Sequence, residues 1–446
     1  MVRWPSNPGF LDDPLRWLLE AGAQPGVTSL SSAASDDNNS EQMQAVFGVD
    51  AVRTVLSDLA TFGMPQSLAD RHRLPPVVAN LNSALFSMTG SRHREHQRLL
   101  ATALGPAREA SQRAAIGRAI TYFSMELAID ADFRLMEQTR RLARLVALEV
   151  ILDLDATHEQ VGIEIQQLFE IRRVANATDA LGADVRDLLV LQGQLVDSLL
   201  RDLITDRRGA TVSRPGVLSE LIDESAKHTT GLSEDELVAH ANILFMASSE
   251  PIATALAWIL LTLTRLPLLA AAIRRQLVGS PDQASPLLHG TVREVLRLVP
   301  PSALLMRVLQ RDVVLAGNPL TAGRAVLISP FVEHRREGAF HRAASFRPAR
   351  WQTERPGPFE FLPFGGGARA CLGRRIALAT LYQAVRAVLI RADVVLAAPQ
   401  MIGWRLQVTL QPDPDPLLRL VPIRSAGPNR SALLTGPAAD LLSVGE

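Results

Sequence analysis

The stretch from Ser233 to Arg265 constrains the fold more than any other. Ser233-Glu234-Asp235-Glu236 is a capping box: the serine hydroxyl can accept from the third backbone N–H while Glu236 reaches back to the cap. The run Leu237 to Arg265 that follows is apolar on most faces, and a helix of that pattern must be wrapped by other elements. The sequence therefore predicts a mainly α chain built around one buried helix. Pro251 lies inside it, removing a backbone donor and pressing on the carbonyl of Ala247, so a bend with an unpaired carbonyl is expected there. In an arbitrary buried helix such a proline is only a bend.

Composition narrows the class. The chain has 446 residues, enough for two or three domains by length alone, and hydrophobic residues at 47% supply a large core. Its 46 basic and 46 acidic side chains balance, so overall charge draws it to no nucleic acid. A single cysteine excludes an internal disulfide framework and suits a reducing cytoplasm. The start, Met1-Val2-Arg3-Trp4-Pro5, is neither a secretory signal nor an anchor, and the longest apolar run, Ile252 to Leu263, is too short to span a bilayer. A soluble cytoplasmic protein without membrane attachment is expected.

That one cysteine, Cys371, sits in Phe361-Leu362-Pro363-Phe364-Gly365-Gly366-Gly367-Ala368-Arg369-Ala370-Cys371-Leu372-Gly373. Lone cysteines are most often buried small hydrophobes. Three consecutive glycines, an arginine two residues before the thiol and a helix-like run after Gly373 weigh against that. Gly365, Gly367 and Ala370 also fit a dinucleotide-binding turn, but Pro363 breaks the strand such a turn needs and Asp393 precedes the next strand instead of ending it. A thiolate is a strong axial ligand to haem iron, and it needs nearby positive charge, a helix N-terminus or the metal to ionise. The loop resembles the haem-binding signature of the cytochrome P-450 family, Phe-x-x-Gly-x-Arg-x-Cys-x-Gly, with Phe364, Gly367, Arg369, Cys371 and Gly373 at its defined positions. The resemblance implies haem b ligated by Cys371 and cradled by Phe364, Gly365 and Gly373, with Arg369 on a propionate.

In chain order, Pro14 to Ala21 reads as a short helix and residues 31–40 as a polar, mobile loop. Ala45 to Val49 reads as a strand, followed by a helix from Asp50 to Leu56. Met64 to Thr89 reads as a long loop with short helical pieces; by resemblance it covers the substrate pocket, with Leu85, Phe86 and Met88 lining it. Gly90 to Leu100 is a basic helix. On its own it is an exposed surface helix, but the family resemblance gives His93 and Arg98 to the propionates. The family often carries arginine four residues after this histidine, and here that position is Gln97. Helical patterns run from Ala107 to Asp206 with a break near Thr178, and by resemblance Gln166 to Leu200 forms a lid.

At the proline of the long helix the resemblance sharpens. The family carries Ala/Gly-Gly-x-Asp/Glu-Thr where the helix opens over the iron; here Ala247 and Glu250 match, Ser248 replaces the glycine and Pro251 the threonine. That threonine orders water and helps deliver protons, which proline cannot do. Glu250 through water, Ser248 or Ser249, or a substrate hydroxyl are the expected sources. Leu244 and Ala247 would face the substrate.

Glu294 and Arg297, three apart on a helix stopped by Pro300-Pro301, would ordinarily be surface decoration. They match the family's Glu-x-x-Arg, and Phe346-Arg347-Pro348-Ala349-Arg350-Trp351 matches its later element, which implies a structural brace of Glu294, Arg297 and Arg350. By the same resemblance Arg307 holds a propionate and Leu304 and Leu305 face the substrate. Val313-Val314-Leu315, Ala325 to Ile328 and Val408 to Leu410 read as short strands, and Pro412 to Pro416 as a rigid turn able to protrude into the pocket. Residues 425–446 read as a loosely ordered tail after a single domain over 1–424.

The expectation is a mainly α protein with small β-sheets and a cytochrome P-450 fold enclosing the haem. The resemblance implies a monooxygenase that inserts one atom of O2 into a largely apolar small molecule, as a tailoring step in secondary-metabolite biosynthesis. Electrons would come from ferredoxin and ferredoxin reductase, with NADPH or NADH as source, docked at the basic cluster of Arg374, Arg375 and Arg94. The missing threonine leaves room for a peroxide-driven or non-hydroxylating enzyme, and a silent ligand-binding or partner-stabilising relative is the reading from another class.

Overall fold

The computed structural model describes residues 8–30, 43–66, 72–176, 181–209, 216–227, 231–279, 285–423 and 434–442. The loop expected at 31–40 and the break expected at Thr178 lie outside them.

The long apolar run is a single helix, Glu234–Arg265, and it is the axis of the molecule. Ser233 Oγ accepts from the Glu236 N–H at 3.2 Å and Glu236 Oε2 from the Ser233 N–H at 2.9 Å, closing the capping box. A cap contributes about 1 kcal/mol. Full burial of a large apolar side chain contributes about 2 kcal/mol, and Leu256, Trp258, Ile259 and Leu261 are all buried along this helix. The cap therefore sets where the helix starts, and packing holds it. The same packing offsets the roughly 3 kcal/mol cost of an internal proline, and the helix continues through Pro251. It packs most extensively on the helix Leu135–Ile151, and also on Ala183–Gly209, Pro286–Leu298 and Arg374–Arg391. Among the described residues it is the one helix long and apolar enough to cross a membrane, and most of that apolar stretch is buried inside the protein.

The β component is small. Five strands pair in the order Gly26–Ser29, Gln44–Phe47, Ala325–Ile328, Leu305–Leu309 and Phe62–Gly63. Leu305–Leu309 runs antiparallel to Ala325–Ile328 with Arg307 opposite Val326, and Gln44–Phe47 is parallel to Ala325–Ile328.

Three expectations change. The strand read at Val408–Leu410 begins at Leu410 and runs to Asp413, paired with Gly403–Leu406. The proline-rich turn after it caps a helix: Asp415 accepts from the N–H groups of Met136 and Glu137 at 2.7 and 3.3 Å, at the start of Leu135–Ile151. An anionic side chain there complements the helix dipole. Residues 434–442, expected in a loose tail, form a strand, Leu434–Thr435, paired with Gln400–Met401, and a helix, Pro437–Leu441, with Ala438 and Leu442 fully buried.

Behind the central helix Glu294, Arg297 and Arg350 meet at 0% side-chain exposure for all three. Glu294 Oε1 accepts from Arg297 Nη2, Arg350 Nε and the Arg347 N–H; Oε2 accepts from Arg297 Nε and Trp351 Nε1. Arg297 gives its remaining donors to the carbonyls of His334, Ala343 and Ser345. His334 then extends the cluster: Nδ1 donates to the Arg297 carbonyl at 2.8 Å, and Nε2 accepts from the Leu362 N–H at 2.7 Å. These partners admit only the neutral ring.

Replacing Glu294 with alanine leaves the buried Arg297 without a carboxylate and Arg350 with Glu354 alone, and we expect a loss of about 3–5 kcal/mol, measured by urea unfolding, with Glu294→Gln intermediate. Burial holds the His334 pKa down at about 3, against an ordinary 6.5. The unfolded chain therefore takes up a proton below pH ~6.5 that the folded chain refuses. Stability should fall with acid over that window, by on the order of 2 kcal/mol at pH ~5, and unfolding of His334→Gln should show a shallower pH slope.

Candidate active site

The cysteine loop turns between the central core and the helix Arg374–Arg391. Gly365 and Gly367 both have φ near +67°, a region open to glycine at no cost. A Cβ on Gly367 would lie 2.2 Å from the Leu56 carbonyl oxygen. The loop closes on itself through the Cys371 N–H, which donates to the Phe364 carbonyl at 2.9 Å. Leu362, nine residues before the thiol, is the residue tied to His334. The brace and the loop are thus one hydrogen-bonded unit.

Cys371 is enclosed by protein yet accessible, so it lines an interior space. Burial pushes its thiol pKa up, and the N–H groups of Gly373 and Arg374 and the Arg374 charge oppose that shift. A bound metal cation would supply the positive charge that ionisation of this thiol needs. Ala247, in the middle of the buried central helix, is likewise exposed, and Leu244, Ser248 and Pro251 are half-buried, so this part of the helix borders open space.

Cationic groups gather at the site, and among the described residues no carboxylate forms an ion pair with Arg307 or Arg369. Arg307 is 7% exposed, its Nη1 donates to the Met306 carbonyl and its Nε is buried without a partner. Burial first, then the neighbouring Arg369, holds its pKa down at about 10. Arg369 also has a buried, partnerless Nε, while its other nitrogens donate to the carbonyls of Leu85, Phe86 and Met88. His93 is buried, and burial, Arg369 and Arg94 together lower its pKa. Two orphaned guanidinium edges beside a neutral imidazole suit a ligand with two carboxylates, which is what the propionates of haem offer. The donor set, the accessible thiol and the close-packed glycine turn fit that group. Cys371 would hold the iron, and Arg307, Arg369 and His93 the propionates.

The remaining expected site residues are distributed as follows. Arg98 is exposed, one position beyond Gln97, and it is Gln97 whose Nε2 donates to the Ala368 carbonyl of the cysteine loop at 2.7 Å. The departure from the family pattern at this position is thus filled by a neutral contact to the loop backbone. Leu85, Leu304 and Leu305 are half-buried, Phe86 is exposed and Met88 buried. Both Ser248 and Ser249 donate to the Phe245 carbonyl, at 2.9 and 2.7 Å. Glu250 is buried and gripped from the flank: Arg140 Nε and Nη2 bind its carboxylate at 2.8–3.2 Å, and Gln411 Nε2 donates at 2.5 Å. Gln411 continues to Thr409 Oγ1 at 3.0 Å, and Thr409 to Thr254 at 3.0 Å. A polar cleft of about 170 Å³ lined by Arg140, Glu170, Arg173, Glu250 and Gln411 opens beside it. Of the basic cluster, Arg374 is exposed over the Phe364 ring, whereas Arg375 donates to the Leu104 carbonyl.

Sequence reasoning missed Arg140 and Gln411, whose local patterns do not mark them because each acquires its role from an element far away in sequence. His334, with Arg335 and Phe340, matches the bacterial family pattern, but its tether to Leu362 was not foreseen.

Residues 189–414 match the family described as Cytochrome P450. Cyclooctatin synthase of Streptomyces melanosporofaciens is 30% identical over 333 residues, covering 68% of this chain and 70% of that protein. Putative cytochrome P450 139 of Mycobacterium tuberculosis is 32% identical over 192 residues, so the match spans 40% of this chain and only 45% of that relative. Among solved structures the cytochrome P450DA heme domain superposes with a TM-score of 0.78 at 18% identity, covering 94% of this chain and 95% of that one. CYP175A1 of Thermus thermophilus gives 0.70 at 21% identity, covering 94% and 100%. The fold is that of a haem-enclosing, mainly helical oxygenase scaffold. The chain belongs to the cytochrome P450 family.

Replacing Arg307 with methionine removes a buried, uncompensated charge, so the haem-free protein should melt no lower than wild type. Loss of one charge-assisted bond, about 1.5–3 kcal/mol, should weaken haem retention by about tenfold or more, measured as transfer of haem to an excess acceptor protein.

Proposed function

We propose that the protein is a haem-thiolate monooxygenase that carries haem b on Cys371 and inserts one oxygen atom from O2 into a largely apolar small molecule. The observation that carries this reading is the accessible, enclosed thiol of Cys371 together with the orphaned cations Arg307 and Arg369. When bound, the thiolate-ligated haem supplies O2 binding and O–O cleavage. Arg307 and Arg369 neutralise its carboxylates, and His93 helps to position them. Phe364 and the glycine turn seat it close to the backbone.

The central helix supplies the other wall. Ala247 and Leu244 leave room beside it, and Pro251 has no N–H to give the Ala247 carbonyl. That carbonyl is left as an acceptor able to order water. Glu250 places a carboxylate at the edge of a polar cleft, with Arg140 and Gln411 fixing its orientation. The Ser248 and Ser249 protons are engaged by Phe245, which leaves Glu250 with water as the better route. The absence of any hydroxyl at Pro251 is the observation that favours a second reading, hydrogen peroxide as the oxidant on the same scaffold. Retention of the full thiolate loop argues against a silent binding protein.

A largely apolar substrate follows from Leu85, Phe86, Met88, Leu304 and Leu305. The name of the Streptomyces relative supports a step in secondary metabolism. Ferredoxin and its reductase are the proposed electron source, with exposed Arg374 and Arg94 as the docking charges. A cytoplasmic setting accords with the single unpaired cysteine.

Reduced, haem-loaded protein should give the red-shifted carbon monoxide difference band of thiolate ligation, and Cys371→Ser should lose that band while still folding. A wild type that binds haem without the band overturns the reading. Turnover supported by ferredoxin, reductase and NADPH selects the first oxidant, and turnover with hydrogen peroxide alone selects the second.

A further inference from the structure

The helix Glu159–Asn176 presents a core-facing stripe of Ile165, Leu168 and Ala175, each fully buried. Arg172 falls on the same stripe, four residues after Leu168 and three before Ala175, where the helical period calls for an apolar side chain. Its Nη1 approaches Met246 Sδ at 3.6 Å, and a thioether is only a weak acceptor. Neither Nε, which is buried, nor Nη2 donates to any described residue. No carboxylate among the described residues pairs with it, whereas the arginines around it are all matched. Arg173 pairs with Glu170, Arg140 with Glu250, and Arg141 and Arg144 with Glu159. Burial alone holds the Arg172 pKa down at about 10, so the group is charged at neutral pH. It also keeps some accessible surface, so it borders a space instead of being packed solid. Met246 immediately precedes Ala247, which is exposed at the middle of the central helix.

An enclosed cation without a counter-ion is unfavourable by itself and is retained where an anion arrives. We propose that Arg172 anchors a carboxylate on the substrate, which is therefore an apolar acid. The idea rests on the reading of the space beside Ala247 as the substrate site, and narrows the substrate class within it. The free Nε–Nη2 edge of a guanidinium matches a planar carboxylate in two parallel hydrogen bonds. A phosphate would demand further cations, whereas Arg140 and Arg173 are already paired with carboxylates and the side chain against Nη1, Met246, is apolar. The acid end is held between the helix Glu159–Asn176 and the central helix, and the apolar remainder extends along the cavity.

The test uses haem-loaded wild type, Arg172→Met and Arg172→Lys, with two pairs of probes: dodecanoate with methyl dodecanoate, and abietate with methyl abietate. Binding is measured by calorimetry at neutral pH. Wild type should bind at least one acid about tenfold or more tighter than its ester. Arg172→Met should lose that preference with ester affinity unchanged, and Arg172→Lys should keep part of it, because a point charge lacks the fork geometry. Ligand-free Arg172→Met should melt at or above the wild-type temperature, whereas a merely structural arginine would lower it. The proposal is overturned if wild type favours neither acid over its ester, if Arg172→Met keeps the preference, or if that variant melts lower. Carbon monoxide spectra of the same preparations report on Cys371 separately. A missing thiolate band with the acid preference intact sinks the enzyme reading alone, and the converse sinks the anchor alone.

Discussion

The carboxylate of Glu294 is the contact on which the rest of the site depends. Two buried guanidinium groups, an indole N–H and a backbone N–H converge on its two oxygens. Burying such charges repays their desolvation only when every donor is satisfied. Arg297 meets that condition, with its donors going to Glu294 and to three backbone carbonyls. The carbonyls belong to the irregular chain between residues 334 and 345, which has little regular structure to fix it. From there the His334 ring carries the order to Leu362, and so to the turn that holds Cys371. A loop whose only regular element is one short 3-10 turn, Gly367–Arg369, is positioned by side chains from behind.

The opposite wall is governed by different physics. The central helix is fixed by apolar burial along most of its length, and that surplus lets it tolerate a proline and an exposed alanine at its middle. Polar order at this wall comes from the flank. Arg140, from a neighbouring helix, and Gln411, from a late strand, hold Glu250 between them. The two walls are therefore tuned by separate sets of residues.

Much of this was legible in the sequence, and the reasons are local. The capping box and the breadth of the apolar run located the central helix. The glycines, arginine and cysteine of residues 364–373 marked a tight turn, because a close-packed turn leaves its mark in consecutive residues. Glu294 and Arg297 stand one helical turn apart, so their pairing could be read directly, and only Arg350 had to come from family resemblance. Arg140, Gln411 and Asp415 escaped because their partners lie more than 100 residues away. Arg140 reads as one more basic residue on an amphipathic helix, and Asp415 as part of a turn, until the fold brings each to its partner. The packed segment at 434–442 was hidden by the polar residues before it, since a pattern of two or three apolar side chains cannot announce burial without knowing what covers them.

Arg369 bonds to the carbonyls of Leu85, Phe86 and Met88 with the same guanidinium whose Nε is buried without a partner among the described residues. One rigid, planar group therefore ties down the backbone at residues 85–88 and keeps an N–H for an anion. Ordering of that backbone and binding of an anion at Arg369 are linked equilibria: whatever tightens one must tighten the other by the same free energy.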